Sequence, residues 1–272
     1  MGFGRFLDSF GEKSGHEPFK INDWILKRPI AHRGLHDDNV PENSLAAFEA
    51  AIEAGYPIEI DVQLTRDKVP VVYHDDHFLR LTGLKKRVTK AMFKVVRGLK
   101  IADSDEDVPT FGEVLECVDG RVPLLIEIKR NKGSRGIERV VMDMLKDYKG
   151  EFAIQSFNPM ALRKVRKIDP SIYCGLLSSK LSEMKMLRIK KAAVRNARLF
   201  FLAKPDFVSF EINSFPNDRV KRFREELKLP IIGWTIKTKE DIERALEFCD
   251  GMIFENIENL RNNFSGFAET EA

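Results

Sequence analysis

Short apolar runs alternate with longer amphipathic stretches along most of this chain. Nine runs rich in β-branched and other apolar residues predict strands: Pro29 to His32, Ile58 to Leu64, Val69 to His74, Leu124 to Lys129, Phe152 to Gln155, Ile172 to Leu176, Phe207 to Phe210, Ile231 to Thr235 and Gly251 to Phe254. Seven stretches with helical periodicity lie between them: Ser44 to Ala54, Thr110 to Val118, Arg135 to Tyr148, Pro159 to Ile168, Ser182 to Leu202, Asn217 to Leu227 and Lys239 to Phe248.

The repeated order of strand and helix predicts an α/β protein with a parallel sheet. About eight such units fit into 272 residues, near the ~250 typical of a closed (β/α)8 TIM barrel. An open doubly wound sheet is less favoured, because the chain has no glycine-rich GxGxxG turn. Helix-capping signals agree with the assignment: Asn43 or Ser44 can cap the first long helix, and Thr110 and Thr238 each begin a capping box.

Two segments depart from the alternation. Residues 76–109 carry the basic Lys85-Lys-Arg87 and the acidic Asp103-Ser-Asp-Glu-Asp107, and we interpret them as a small insertion on the catalytic rim, after the second barrel strand. Residues 1–27 predict an N-terminal extension with one short helix. The catalytic barrel is expected to span residues 28–265, with no second domain.

Composition excludes several classes of function. Hydrophobic content of 43% and a formal net charge of +3 are ordinary for a globular protein, so a general nucleic-acid binder is not expected. Three scattered cysteines without a CxxC pair argue against a zinc cluster and a disulfide framework, and favour a reducing, cytoplasmic location. No apolar run reaches the ~18 residues needed to span a bilayer, so we expect a protein that is soluble or at most peripheral.

Three carboxylates are predicted to converge at the carboxyl ends of the strands, where barrel active sites lie. Glu59 and Asp61 are separated by one residue on a strand and therefore point to the same side, and Glu127 joins them from the third barrel strand. Three carboxylates without thiolates suit one hard divalent cation, Mg²⁺ or Ca²⁺. The alternative is that these acids form buried salt bridges with Arg33 and Lys129.

Two histidines complete the predicted site. His32 and His74 each follow a buried run, and on opposite sides of a phosphodiester one could withdraw a proton while the other protonates the departing alkoxide. A guanidinium such as that of Arg33 can bind a phosphate group through two parallel hydrogen bonds. We expect His36 and His77, in loops, to lie on the solvated surface. The combination suits metal-assisted attack on a phosphate ester.

The motifs that carry these residues resemble those of the glycerophosphodiester phosphodiesterases, from Ile30 to about Leu260. The matching segments are His32-Arg33-Gly34, Pro41-Glu42-Asn43-Ser44, Glu59 to Val62, His74-Asp75, Arg80 with Thr82-Gly83, Val108-Pro-Thr110, Glu127-Ile-Lys129, Gln155-Ser-Phe157 and Trp234-Thr235. One departure is clear: many relatives end the last strand with an acidic turn such as T-D-x-P, whereas this chain has Met252-Ile-Phe-Glu-Asn256.

The resemblance implies a role for each matched residue. Glu59, Asp61 and Glu127 would bind the cation, and His32 and His74 would be the general acid and base. The phosphate would be held by Arg33 and Lys129, and the glycerol side of the pocket would be walled by Phe157 and Trp234. For the two aromatic residues, packing in the barrel core is the alternative.

The function implied is hydrolysis of glycerophosphodiesters, small-molecule substrates, to glycerol 3-phosphate and an alcohol. The attacking group would be the neighbouring glycerol hydroxyl, through a cyclic phosphate, or water. One alternative is a lysophospholipase D acting at a membrane, since residues 180–204 have the pattern of a basic amphipathic helix that could make weak peripheral contact. The other interpretation of this stretch is that its basic face is solvated and its apolar face packs on the barrel. Another is a catalytically inert phosphate-ester binding barrel. The leaving alcohol, the choice of Mg²⁺ or Ca²⁺, and the oligomeric state stay open.

Overall fold

The computed structural model describes residues 24–179 and 203–255. Within these residues, nine strands form one sheet: β1 Ile30–His32, β2 Ile58–Leu64, β3 Pro70–Val72, β4 Leu124–Ile128, β5 Phe152–Ser156, β6 Cys174–Ser178, β7 Phe207–Glu211, β8 Ile231–Ile236 and β9 Gly251–Phe254. The α-helices in this part of the chain are α1 Trp24–Lys27, α2 Leu45–Glu53, α3 Leu79–Thr82, α4 Phe93–Val96, α5 Phe111–Val118, α6 Ile137–Leu145, α7 Pro159–Ile168, α8 Asp218–Glu225 and α9 Lys239–Phe248.

Eight of the strands close into a parallel barrel. The order runs β1-β9-β8-β7-β6-β5-β4-β2, and a parallel pairing of β1 with β2 joins the two ends. The predicted (β/α)8 barrel is therefore confirmed. Because parallel strands in a barrel all point the same way, their carboxyl ends form a single rim.

The one described strand outside the barrel, β3, differs from the sequence prediction. The run Val69 to His74 was included in the strand and helix alternation, but β3 pairs antiparallel with β2, with Val62 opposite Val72. The reason is the short link between them, residues 65–69. A parallel crossover needs about a dozen or more residues, so a link this short can only reverse the chain. The reversal brings Tyr73 back to Asp61, whose carbonyl accepts a hydrogen bond from the Tyr73 amide at 2.8 Å.

Alternation along the strands divides the barrel into an outer and an inner face. Outward residues such as Ile60, Ile126 and Val208 pack against the helices in the main core. At the amino-terminal end, inward strand residues and Ile25 of α1 form a separate apolar plug, whose members are Ile25, Ile30, Leu125, Ala153, Phe207, Ile232 and Ile253. Polar residues at the next inward positions, Glu59 and Gln155 among them, are buried above this plug. The plug thus supports a polar layer near the carboxyl-terminal rim.

Local signals in the sequence explain where several helices begin. Both predicted capping boxes are present, at Thr110 with Glu113 and at Thr238 with Asp241. Of the two candidates for the cap of α2, it is Ser44 that accepts from the Ala47 amide. The strand predicted to begin at Ile172 begins two residues later, as β6. The predicted helix Ser182 to Leu202 falls outside the described residues.

Residues 71–108 build a second small core beside the barrel. Its buried members are Val71, Tyr73, Phe78, Val88, Ala91, Val96, Ile101 and Val108. Within the part of the chain that the structure describes, no helix combines the length and the apolar character needed to cross a membrane.

Candidate active site

Three buried carboxylates meet inside the barrel. One oxygen each of Glu59, Asp61 and Glu127 lies within 4.8 Å of the others, and the residues are 1%, 0% and 6% exposed. The register of β2 and β4 produces this arrangement, since Asp61 lies directly opposite Glu127 and Glu59 is one inward position below. The structure therefore brings together all three acids that the sequence singled out.

Arg33 and Lys129 partly neutralise this cluster. Lys129 Nζ lies 2.9 Å from Asp61 Oδ1 and 3.0 Å from Glu127 Oε1, and Arg33 Nε lies 3.3 Å from Asp61 Oδ2. The salt bridges foreseen as an alternative to a metal are thus present for two of the acids. Within the described residues, neither cation forms an ion pair with Glu59, and Glu59 Oε2 is buried without a hydrogen-bond partner. When all three carboxylates are ionised, the two cations leave one buried negative charge uncompensated.

The pKa values of the acids reflect the same imbalance. Burial and the neighbouring carboxylates raise the pKa of Glu59 well above its usual value. Burial also raises the pKa of Glu127, to about 7. For Asp61 the charges of Lys129 and Arg33 outweigh burial and hold the pKa below its usual range. A divalent cation would offset the repulsion that raises the first two pKa values, so this donor set of oxygens fits a hard metal ion.

Each candidate histidine is held by a carboxylate at the same ring nitrogen. His32 Nδ1 lies 2.5 Å from Glu255 Oε1, and His74 Nδ1 lies 2.7 Å from Asp75 Oδ1. With the proton on Nδ1, the ring donates to the carboxylate and the Nε2 lone pair is left for the site. His32 Nε2 faces the acid cluster, 3.9 Å from Glu59 Oε2. Burial lowers the pKa of His32 to about 4 and also lowers the pKa of His74.

A chain of ion pairs connects Arg33, beside the acid cluster, to Asp75, which holds His74. Arg80, from the segment after β3, donates to Glu42 at 2.7 Å and to Asp75 at 2.7 Å. Glu42 in turn accepts from Arg33 at 2.7 Å. Asn43 donates to Asp61 at 3.0 Å, so it supports an acid of the cluster, whereas Ser44 caps the helix.

A cleft of about 650 Å³ opens beside the carboxylates. Its lining includes His74, Glu127, Lys129 and Phe157. The Phe157 ring is 41% exposed and meets Trp234 edge to face, with centroids 5.7 Å apart. Core packing, the alternative for these aromatic residues, is therefore wrong for Phe157. Trp234 is half-buried.

Sequence reasoning misplaced one histidine and missed one acid. His77 is exposed as expected, but His36 is only 18% exposed and its Nε2 lies 4.0 Å from Glu255 Oε1. The loop after β1 folds back onto α2, with the Leu35 amide donating to the Ala47 carbonyl at 2.9 Å, and this carries His36 inward. Glu255 went unassigned, although an acid directly after the last strand, at the catalytic rim, was the signal that could have identified it.

The loop after β1 requires a glycine at position 34. Its φ is +85°, and a Cβ there would lie 2.7 Å from the Ala47 backbone. Gly98 has a similar φ of +81°, but a Cβ there would meet no atom within 4 Å. We expect Gly98→Ala to cost about 1 kcal/mol of unfolding free energy from backbone strain alone, and Gly34→Ala to cost about 1–3 kcal/mol more through the collision.

Urea denaturation of the two variants measures this difference. Equal losses of unfolding free energy in Gly34→Ala and Gly98→Ala would show that the contact between Gly34 and Ala47 is not tight. A larger loss in Gly34→Ala is the expected result.

Comparisons with known proteins agree with this geometry. The family model described as the glycerophosphoryl diester phosphodiesterase family matches residues 32–259. A glycerophosphodiester phosphodiesterase of Caldanaerobacter subterraneus subsp. tengcongensis is 34% identical over 247 residues, covering 86% of this chain and 96% of that protein.

Solved structures show the same fold. The crystal structure of a glycerophosphodiester phosphodiesterase from Thermotoga maritima has a TM-score of 0.63 at 27% identity, covering 83% of this chain and 92% of that one. An Oleispira antarctica phosphodiesterase in complex with the product sn-glycerol-3-phosphate has a TM-score of 0.67 at 22% identity, covering 84% and 92%. Since the family model spans most of the sequence and both resemblances extend over the whole barrel, this chain belongs to the glycerophosphoryl diester phosphodiesterase family.

Proposed function

We propose that the protein hydrolyses glycerophosphodiesters to glycerol 3-phosphate and an alcohol, at a divalent cation held by Glu59, Asp61 and Glu127. The observation that carries the proposal is the buried cluster of three carboxylates beside two carboxylate-held histidines, in a member of this family. The relative from Caldanaerobacter carries the name of this activity. When bound, the cation would supply charge stabilisation at the phosphoryl oxygens.

The phosphate would lie beside the acid cluster, against the two cations. Arg33 and Lys129 are both largely buried, at 13% side-chain exposure, and their carboxylate partners hold them in place. Buried cations that are already oriented stabilise developing negative charge without reorganising during the reaction. Phe157 lines the cleft and its ring meets that of Trp234, and we expect the two rings to contact the glycerol carbons.

His32 and His74 would move the protons. Each has Nδ1 bound to a carboxylate, so each would give or take a proton at Nε2. One would deprotonate the attacking hydroxyl, which is either the neighbouring glycerol hydroxyl or water, and the other would protonate the leaving alkoxide. Attack by the glycerol hydroxyl would give a cyclic phosphate, which water would then open to glycerol 3-phosphate. Both rings share this contact of Nδ1 with a carboxylate, so the contact assigns neither of them as the acid.

Glu255 would act as a positioning residue for His32. We expect Glu255→Leu to lower kcat by about 10-fold to 100-fold with little change in KM, because His32 loses the acceptor that fixes its tautomer. Glu255→Gln keeps an acceptor oxygen and should retain more activity. Steady-state kinetics on one diester test this. Indistinguishable losses in the two variants would mean that the oxygen at Glu255 does not orient His32.

A panel of substrates tests the proposed function. Purified protein is incubated with glycerophosphocholine, glycerophosphoethanolamine, glycerophosphoglycerol and lysophosphatidylcholine, with Mg²⁺ or Ca²⁺, and the products are identified by ³¹P NMR. Release of glycerol 3-phosphate from one or more of the first three is expected. Turnover of lysophosphatidylcholine alone would favour a lysophospholipase D, and binding without turnover would favour an inert barrel.

A further inference from the structure

Exposed basic side chains line one side of the barrel mouth. We call this surface the basic rim: Arg66, Lys68, Lys85, Lys86, Arg87, Lys90, Lys94, Arg97, Lys132 and Arg135, all of them exposed. They come from the turn between β2 and β3, from the insertion, and from the loop after β4. From residue 77 to residue 102 the sequence contains no aspartate or glutamate.

Hydrogen bonds join the three segments into one surface. The Arg66 amide donates to the Ala91 carbonyl at 2.7 Å, and the Thr89 hydroxyl donates to the Lys132 carbonyl at 3.1 Å. Lys68 Nζ donates to the Gly133 carbonyl at 2.9 Å. The insertion, the turn and the loop therefore present their cations side by side.

The cations of the basic rim lack acidic partners among the described residues. Within 24–179 and 203–255, no residue of the basic rim forms an ion pair with a carboxylate, whereas exposed arginines elsewhere do. Arg121 pairs with Glu49 at 2.6 Å, for example, and Arg224 pairs with Asp250 at 2.9 Å. The chain as a whole is nearly balanced, with 45 basic and 42 acidic residues, so this concentration of one charge is local.

The small core of the insertion explains why these side chains face outward. Val88, Ala91 and Val96 are fully buried, and the basic residues occupy the positions between them. Two apolar side chains are exposed among the cations, Leu79 at 49% and Val95 at 39%. Cations interspersed with exposed apolar groups suit a lipid surface, where the charges meet headgroups and the apolar groups meet the acyl boundary.

The basic rim lies next to the catalytic cleft. The cleft is lined by Asp76, Arg130 and Asn131, and Asn131 directly precedes Lys132 of the rim. A planar partner on this surface would therefore lie beside the cleft opening.

We propose that the basic rim docks the barrel mouth on an anionic phospholipid surface. Clusters of lysine and arginine bind such surfaces by charge, at about fivefold in affinity per residue near the surface. Docking depends only on the rim, so it does not require the proposed activity. Docking would place the active site at the membrane, where glycerophosphodiesters form when phospholipids lose their acyl chains. This consequence for the substrate rests on the proposed function.

Vesicle sedimentation tests the docking. Full-length protein is mixed with vesicles of phosphatidylcholine alone, or of phosphatidylcholine with phosphatidylglycerol, in low and in high salt. We expect binding only to the anionic vesicles, weakened by salt. The triple variant Lys86→Gln, Lys90→Gln and Lys94→Gln should bind them about 100-fold more weakly, at about fivefold per residue.

A matched control removes the same charge from the other end of the barrel. Lys27, Lys149 and Lys167 are exposed and lie on the chain shortly before β1, β5 and β6, at the amino-terminal side. Their triple glutamine variant should keep its affinity within a few-fold. An equal loss in this control would overturn the assignment to the rim, and so would failure of the unaltered protein to bind anionic vesicles.

Two further readouts separate this proposal from its competitors. If a single-stranded oligonucleotide binds the rim more tightly than the anionic vesicles do, the lipid assignment is wrong. Turnover of soluble glycerophosphocholine should be the same in both triple variants and the unaltered protein. Absence of turnover in all three proteins would count against the proposed function. The docking proposal would then stand or fall on the vesicle binding alone.

Discussion

Replacing Asp61 with asparagine is expected to lower turnover of a glycerophosphodiester by about 10³-fold, since a catalytic cation contributes several kcal/mol of charge stabilisation. Asp61 lies at the centre of the cluster, opposite Glu127 in the register and in contact with both buried cations. Binding of Mg²⁺ or Ca²⁺, measured by calorimetry, should weaken in parallel. Glu59→Gln and Glu127→Gln should act in the same direction.

A buried acid outside the barrel provides the control for this experiment. Glu138 on α6 is 1% exposed and pairs with Arg130 and Lys164. Glu138→Gln should reduce stability while leaving metal affinity within a few-fold of the unaltered protein. If Asp61→Asn kept both its metal affinity and its turnover, the carboxylate cluster would not be the metal site.

The second large effect concerns the two histidines. His32→Ala and His74→Ala should each give a folded protein whose turnover falls by about 10²-fold to 10⁴-fold, the range for loss of a general acid or base. A substrate with a leaving group of low pKa, such as a 4-nitrophenyl ester, should partly rescue whichever variant lacks the acid. That rescue would assign the acid and the base.

His77→Ala is the matched control for the histidine variants. His77 is close to His74 along the chain but exposed, and its loss should change turnover by less than a few-fold. The two-histidine mechanism would be wrong if His32→Ala and His74→Ala both resembled this control.

The carboxylate cluster was predictable because it depends on local rules. Glu59 and Asp61 share a face through the two-residue period of a strand, and a parallel neighbour in register adds Glu127. The same rules misassigned β3, because its apolar run looks like any other barrel strand. Only the length of the link after Leu64 distinguishes a hairpin from a crossover.

The partners of the histidines depend on contacts that no local pattern encodes. Glu255 is 223 positions from His32, and their contact exists only because barrel closure places β9 beside β1. Arg80 reaches Glu42 over 38 positions in the same way. His36 was expected at the surface because loop residues usually are, but the fold of this loop onto α2 partly buries it. The amphipathic stretch at 180–204, for which weak peripheral membrane contact was one of two alternatives, lies almost entirely outside the described residues.

The most direct test of a metal-dependent diesterase follows glycerophosphocholine by ³¹P NMR. The protein is first stripped with excess chelator, then dialysed, and Mg²⁺ or Ca²⁺ is added back, with Asp61→Asn treated in the same way. We predict no glycerol 3-phosphate from the stripped protein, its appearance when the cation is restored, and little or none from Asp61→Asn. Full activity in excess chelator would contradict a cation held by Glu59, Asp61 and Glu127.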